Sequence, residues 1–432
     1  MEKNIAVIGG GIMGMTVALR LSERGYKVSI FEASSSLGGL TDTWQIENIT
    51  WDKFYHVILL SDTYTRKILK ETELEEKVNW VETKSGFFSG GKLHSMSNLI
   101  EFFKFPPINL IDKFRLGLTI FVASKIKNWK RLEKIEVEKW LTRWSGKNTF
   151  RKIWLPLLKS KLGENYKETA ASFIWATIQR MYAARRTGLK KEMFGYVDGG
   201  YATILNAFQK LLEEKGVEIF TDHPVEKLNR DGNKISIKFK KGESKSFPKA
   251  VLTVPSNIIA EITNGLTKPE YEKLRQVQYL GVVCTSLLLP KQISPYYVTN
   301  ITDDDNPFTG IIELGALVDK KTFGGHSLIF LPKYVKANDP FYQKPNEEVE
   351  EIFLKALFRM YPHLSNKDVV AIKTTRAANV FALPGLAYSE KLTNMKTSMP
   401  GLYVINSSYI TNSTLNVNDT VQLAEKTVAN YF

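Results

Sequence analysis

Residues Ile5–Gly14 read IAVIGGGIMG, an apolar run that passes straight into Gly9-x-Gly11-x-x-Gly14. Gly9 permits a tight turn, Gly11 lets the backbone approach a pyrophosphate, and Gly14 lets helix and strand pack closely. The pattern predicts a strand over Ile5–Ile8 and an amphipathic helix to about Arg24, stopped by Gly25. A second strand over Val28–Phe31 then ends on Glu32. The first helical amides, at Ile12 and Met13, would face phosphate groups with the positive end of the helix dipole behind them. Glu32 is placed to accept hydrogen bonds from an adenosine ribose. Strand, turn, helix, strand and acid fall in register, which predicts a dinucleotide site. The fingerprint by itself leaves both NAD and FAD open.

Two further features bear on that choice. Gly38-Gly39 follows Glu32 by six residues, where a second backbone turn can pass close to a flavin-side phosphate or ribityl chain. The end of the chain, with a strand over Leu402–Ile405 and a helix over Asn418–Asn430, reads as part of the same site. With Asp52-Lys53-Phe54-Tyr55-His56, Phe194-Gly195-Tyr196-Val197-Asp198-Gly199-Gly200-Tyr201 and Pro400-Gly401-Leu402-Tyr403-Val404, the chain resembles the flavin-containing amine oxidase superfamily. That superfamily includes protoporphyrinogen oxidases and carotenoid desaturases, and the likeness is greatest to a bacterial group associated with surface-polysaccharide gene clusters.

The resemblance runs nearly the full length and implies an α/β fold: a Rossmann-type FAD-binding domain interleaved with an α+β substrate domain. The FAD-binding parts would be 1–78, 198–263 and 385–432. Residues 79–197 and 264–384 would form the substrate domain, with a helical block at 98–190 beside a sheet. It also implies FAD as cofactor, held by Gly9, Gly11, Ile12, Met13, Gly14, Glu32 and Ala33, by Gly38, Gly39, Leu40 and Thr41, by the backbone near Val225, and by Ser407, Asn418 and Thr420. The chain departs from the pattern twice. Leu40 stands where many relatives have arginine. Ser407, preceded by Asn406, stands where an acid usually follows the last strand.

At 432 residues the chain has room for two domains and a large core. Its one cysteine, Cys284, excludes an internal disulfide and a cysteine-based metal cluster, and fits a reducing cytoplasm. Lying in the apolar run Val282–Leu289, it reads as an inert core thiol. The chain opens almost directly on a strand, so a signal peptide is not expected. No apolar run is long enough to span a bilayer. The net charge of +14 is concentrated: Leu99–Lys191 holds 21 Lys and Arg against seven Asp and Glu, an excess of 14. The excess points to an acidic partner, either an anionic small-molecule or lipid-linked substrate or an anionic membrane surface, with a merely solvated basic face as the alternative. Nucleic acid ranks lower, because no nucleic-acid module accompanies the charge.

The same block holds Phe102, Phe103, Phe105 and five tryptophans among its cations, and Pro106-Pro107 breaks it early. Its segment Asn109–Trp129 is apolar on much of its circumference and basic at its end. Both an ordinary core-facing helix and one lying in a membrane interface fit that pattern. Elsewhere, Thr43–Ile49 reads as a strand, 51–56 as a loop, Ser61 as a helix cap, Phe87–Met96 as a hairpin, and Pro269–Phe381 as mostly strands around a helix at Asn346–Met360.

The candidates for chemistry are few. In the family the loop carrying Tyr55 and His56 reaches the flavin face, where an imidazole acts as acid or base near neutral pH. Tyr388 falls in a segment that lines the active-site wall in relatives. Arg180, Arg185 and Arg186 form a candidate grip for a phosphate or carboxylate. No Ser–His–Asp arrangement, metal-ligand spacing or nucleotide-hydrolase phosphate loop occurs, so no metal is expected. Three functions remain open: an FAD-dependent oxidoreductase taking hydride from an apolar or amphiphilic anionic substrate, a redox-neutral flavin mutase or isomerase, and a non-enzymatic lipid-binding chaperone of the same fold.

Overall fold

A computed structural model of the chain describes residues 3–95, 108–185 (backbone only from 181), 193–303 and 305–432. Met96, Phe102, Phe103, Phe105, Pro106, Pro107, Arg186 and the Arg185 side chain lie outside the described residues.

Asn4–Ile8 forms the centre of a five-stranded parallel sheet, flanked by Lys27–Phe31 and Glu218–Phe220 on one side and by Lys249–Leu252 and Leu402–Val404 on the other. Alternation along the central strand decides what covers each face. Ile5 and Val7 point into a core made with the helices Ile12–Ser22, Gly200–Glu214 and Val417–Tyr431. Ala6 and Ile8 point the other way, onto the antiparallel meander of Val225–Asp231, Lys234–Phe239 and Ser244–Phe247.

Arg20 ties the helical face together. Its guanidinium bonds Glu23 at 3.0 Å, Glu71 at 2.8 Å and Glu425 at 2.6 Å, joining the opening helix, the helix Thr63–Glu71 and the final helix. Three carboxylates around one buried guanidinium satisfy its fork of donors, which makes its burial tolerable.

The second layer is a seven-stranded sheet. Its order runs Ala371–Ala382, Tyr279–Leu289, Ser327–Val335, Gly310–Glu313, Val298–Ile301, Ser85–Ser89, Lys92–Ser95. The last two strands form the hairpin about Gly90-Gly91. Cys284 is fully buried in Tyr279–Leu289, and burial pushes its thiol pKa up, so it is inert at neutral pH. The helices Leu110–Lys125, Val137–Ser145, Leu155–Leu162 and Ala171–Arg185 enclose a separate core that meets the big sheet through Leu280 and Phe381. Between the layers, Met193–Val197 pairs with Ile58–Leu59 and Val78–Glu82.

Local expectations need four corrections. The strand expected over Thr43–Ile49 is two, Thr43–Ile46 and Ile49–Asp52, turned at Glu47 with φ +51°; Trp51 and Asp52 are therefore ladder residues, not loop. Strands do not begin at Pro269, because Lys268–Gln276 is a helix started by a Thr267–Glu270 capping box with proline in its first turn. Asp62, not Ser61, immediately precedes the helix Thr63–Glu71. The final helix begins at Val417, where Asn416 accepts from the Asp419 amide at 2.9 Å.

Gly14 is the tightest point of the nucleotide unit. A Cβ there would lie 1.9 Å from the Gly9 carbonyl oxygen and 3.1 Å from Thr253 Oγ1. The clash is with backbone, so helix and strand must separate to relieve it. Gly14→Ala is expected to cost about 1–3 kcal/mol, the usual range for overpacking. Chemical denaturation of the apo chain checks this, and unchanged stability would contradict the packing role.

Candidate cofactor and substrate site

The two glycine turns are built against each other. Gly9 has φ +106°, Gly38 +123° and Gly39 +59°, conformations that disfavour any side chain. The Gly38 amide donates to the Gly10 carbonyl at 2.9 Å, and Gly11 and Gly38 form a parallel bridge. Gly11 itself is different. A Cβ on it would meet only Gly38 O and Gly39 Cα, at 3.8 and 3.9 Å, so the space above it is open. Gly11 also caps the opening helix without any side-chain acceptor, and no acid sits in the first turn. The amides at Ile12 and Met13 are therefore left without a capping side chain, at the positive end of a helix, beside an open backbone surface. That arrangement fits a pyrophosphate.

Glu32 lies at the end of its strand, part-buried, with its carboxylate accepting from the Gly10 amide at 2.6 Å and the Ser34 amide at 2.8 Å. Ala33 beside it is exposed. The loop before Val225 is bonded to this corner: the His223 amide donates to Glu32 O, and the Asp222 amide to Ser34 O, both at 2.9 Å. Leu40 and Thr41 form a short turn after the double glycine, where buried Thr41 returns its hydroxyl to Gly38 O at 2.9 Å. The structure thus ties the two glycine turns, Glu32 and the approach to Val225 together by hydrogen bonds.

The C-terminal candidates are arranged differently. Asn406 is buried, donating to Val254 O at 2.9 Å and Ser256 Oγ at 3.2 Å while accepting from Ser408. It holds the loop. Asn418 Oδ1 accepts from the amides of Tyr64 at 2.8 Å and Thr65 at 3.3 Å, so its side chain caps a neighbouring helix. The Thr420 hydroxyl returns to Asn416 O at 2.8 Å. Both side chains are spent within the protein, which leaves backbone as what this helix start can offer a ligand.

Ser407 instead lines a cavity of about 80 Å³ where three distant parts of the chain meet. The loop 407–415 gives one wall, with the hydroxyls of Ser407, Thr411, Ser413 and Thr414. Tyr334, Val380 and Phe381 of the large sheet give another, and Lys161, Ser172 and Phe173 of the helical block close it. Tyr388 also faces the cavity, but its hydroxyl donates to Ser408 O at 3.0 Å and so fastens the loop. Lys161 places its ammonium 5.6 Å from the Tyr334 ring centre and 6.0 Å from that of Phe381. Burial, with the charge of Arg180 adding to it, holds its pKa below that of a free lysine. No aspartate or glutamate lines the cavity.

Tyr55 stands behind this wall, its hydroxyl 2.6 Å from that of Tyr334. His56 is not in the cavity. Its Nδ1 lies 3.1 Å from Phe54 O and 3.9 Å from Asp52 Oδ2, and its ring packs on Tyr201 at 5.0 Å. Burial lowers its pKa to about 4, so it is neutral at pH 7. Arg180 pairs with Asp62 at 3.1 Å, which commits it to the protein. Lys161 and Tyr334 carry no motif of their own. Asp52 does: it is the first residue of the Asp52–His56 stretch, and its Oδ1 accepts the Tyr201 amide at 2.8 Å, joining that stretch to Phe194–Tyr201.

The flavin containing amine oxidoreductase model matches residues 12–409 of this sequence. The chain belongs to that family. FAD is accordingly the dinucleotide that the family uses, and the bare Gly11 backbone fits its pyrophosphate. Zeta-carotene desaturase of a Synechocystis strain is 22% identical over 253 residues, 52% of this chain and 50% of that protein. Hydroxysqualene dehydroxylase of Sinorhizobium fredii is 23% identical over 294 residues, 62% of this chain and 66% of that protein. These matches thus span half to two thirds of the curated relatives. An oxidoreductase from Methanosarcina mazei has the same fold, with a TM-score of 0.76 at 18% identity, covering 99% of this chain and all of that one. Among the described residues no helix is long and apolar enough to cross a membrane, and no group of His, Cys, Asp and Glu is placed to hold a metal.

Two outcomes follow from this geometry. Gly11→Val should fold normally and lose FAD, because its side chain enters the open space and not the protein core; purified variant with normal FAD content would misplace the site. Asp52 gives a pH signature. Burial raises its pKa from the ordinary carboxylate range to about 8, while the hydrogen bond from the Tyr201 amide partly offsets this. The folded chain holds that proton across a window where the unfolded chain has lost it, so Asp52 lowers stability progressively as pH rises through the window. Asp52→Asn keeps an acceptor for Tyr201 and removes the cost. Its stability relative to the parent should grow as pH rises through the window; a constant difference in denaturant midpoint would contradict the buried neutral acid.

Proposed function

We propose that this chain is an FAD-dependent oxidoreductase that takes hydride from an apolar or amphiphilic substrate bearing a negative group. The observation that carries the reading is the composition of the cavity: one ammonium, several hydroxyls and aromatic faces, with no acid. When bound, FAD supplies a two-electron acceptor for a C–H next to nitrogen, oxygen or an alkene. The protein's own part is placement. Tyr334 and Phe381 bound the space, Lys161 meets the negative group, and Ser407, Thr411 and Thr414 supply hydroxyls to polar atoms, that of Ser413 being donated to Asp419. Tyr55 fixes Tyr334 through their hydroxyl contact, and Tyr388 fixes the 407–410 loop. Neither His56 nor Asp52 lines the cavity, so neither is assigned a proton transfer; they hold the Gly200–Tyr201 return in place. Relatives named for zeta-carotene and hydroxysqualene support the apolar half of the reading. The expected cytoplasmic location, at most peripheral to a membrane, is part of this proposal.

Anaerobic titration of the flavoprotein with polyprenyl phosphates, nucleotide sugars and amines tests the reaction type. Bleaching of the flavin by substrate alone supports hydride transfer. Turnover seen only after prior reduction of the flavin would instead place the chain with redox-neutral mutases, and a folded chain without flavin would support a lipid-binding chaperone. Lys161→Gln tests the anionic group. A charge-assisted hydrogen bond contributes roughly 1.5–3 kcal/mol, so binding of a polyprenyl phosphate should weaken at least tenfold while that of the matching polyprenol is unchanged. Equal losses for both would remove Lys161 from substrate recognition.

A further inference from the structure

The helix Leu110–Lys125 has two apolar faces. Leu116, Thr119 and Ala123 are buried against the helical core. On the opposite side Leu110, Ile111, Phe114, Leu118 and Phe121 are 39–73% exposed. Their spacing places them along one stripe of the helix, running its full length. Such a contiguous exposed stripe is unusual on a soluble surface and marks a contact site. The helix is not loosely attached. Asn109 caps it through the Asp112 amide at 2.8 Å, Thr119 bonds Ser145 at 2.8 Å, and Gln179 donates to Ala123 O at 2.7 Å.

The surroundings identify the partner. Between residues 108 and 152 ten lysines and arginines are exposed, against two exposed acids, Glu136 and Glu138. The remaining acids there, Asp112 and Glu133, are buried and bonded to Asn148 and Ser389. Lys125, Lys127 and Lys130 cluster at the C-terminal end of the stripe, with Lys125 5.4 Å from the Phe121 ring. Arg143 and Lys147 are exposed beside its first half, where Arg115 reaches Arg143 O at 3.4 Å. An apolar stripe with cations at its C-terminal end and beside its first half complements a surface with an apolar interior and an anionic rim.

We propose that this face seats on an anionic lipid bilayer, with the stripe among the acyl chains and the lysines and arginines at the headgroups. The same helix packs on Ala171–Arg185, whose Ser172 and Phe173 line the cavity. Attachment therefore brings the cavity wall within one helix layer of the membrane, the side from which an amphiphilic substrate arrives. The surface proposal itself does not depend on the substrate assignment.

The test is flotation of the full FAD-loaded chain with vesicles of phosphatidylcholine containing rising amounts of phosphatidylglycerol, at low and high salt. The bound fraction should rise with phosphatidylglycerol and fall with salt. Phe114→Ser with Phe121→Ser should reduce the partition coefficient at least tenfold at unchanged flavin content and thermal midpoint, since both side chains already face solvent. Lys125→Gln, Lys127→Gln and Lys130→Gln together should remove most of the dependence on phosphatidylglycerol. The proposal is overturned if the parent chain stays unbound on every vesicle, or if the phenylalanine variant binds as well as the parent. It is equally overturned if the parent proves to be a dimer that the phenylalanine variant converts to monomer, because a second copy then covers the stripe.

Discussion

The contact between Gly14 and the Gly9 carbonyl is the constraint on which the rest of the molecule depends. It brings the opening helix so close to the central strand that no Cβ fits between them. That closeness aims the helix start at the end of the sheet and leaves the Gly11 backbone bare. Thr253 secures the same turn from the next strand, donating to Ile8 O at 2.9 Å and Gly9 O at 3.2 Å. The Gly38 amide then closes the turn from the other side. Three stretches separated by up to 244 residues thereby fix one phosphate-sized surface. Such sites are made of backbone, and backbone can be positioned only by what packs behind it.

This also explains which parts of the protein were legible in its sequence. The Gly9–Glu32 unit was readable because its constraint is local: each glycine answers to a neighbour within the same strand–turn–helix. The division of Ile5 and Val7 from Ala6 and Ile8 between two cores was not, since the sequence shows only one continuous apolar run. Arg20 was not readable, since its partners Glu71 and Glu425 come from elsewhere in the chain. The helix Lys268–Gln276 was missed although its capping box and its proline are both local signals; the apolar strand runs on either side outweighed them. For the cavity, nothing in the pattern around Lys161 separates it from the other lysines of its block. Its position becomes special only when the large sheet brings Tyr334 and Phe381 beside it.

Two of the motifs that accompany the glycine fingerprint, Asp52–His56 and Phe194–Tyr201, turn out to be one device. Asp52 ends a strand, and Gly200, at φ +64°, begins a helix. A Cβ on Gly200 would lie 2.7 Å from Asp52 Oδ1, so the glycine is needed for the carboxyl to reach the Tyr201 amide. The Tyr201 ring then covers His56. Burial drives the acid to its neutral form and the imidazole to its neutral form as well, so an apparent acid–base pair becomes an uncharged hinge between the layers. Its residue types suggest catalysis, while its environment suits it to joining the nucleotide unit to the sheet that walls the cavity.

The basic character of the helical block divides in the same way, by environment. Most of its cations are exposed, where water and salt keep each nearly independent of its neighbours. Lys161 is in a different setting, held against two aromatic faces in a cavity lined by no acid. A charge in that setting interacts far more strongly with whatever enters than the same charge outside. One sequence feature, an excess of 14 positive charges in a single segment, therefore has two physical consequences. The outer cations supply a long-range, salt-sensitive attraction that is weak per residue. The inner one supplies a short-range and selective attraction, because a neutral ligand gains nothing from it and an anionic ligand must bring its negative group to one point. Under the proposed membrane seating, a helical layer that meets anionic lipid with its outer face and lines the cavity with its inner face needs no other element to connect the two.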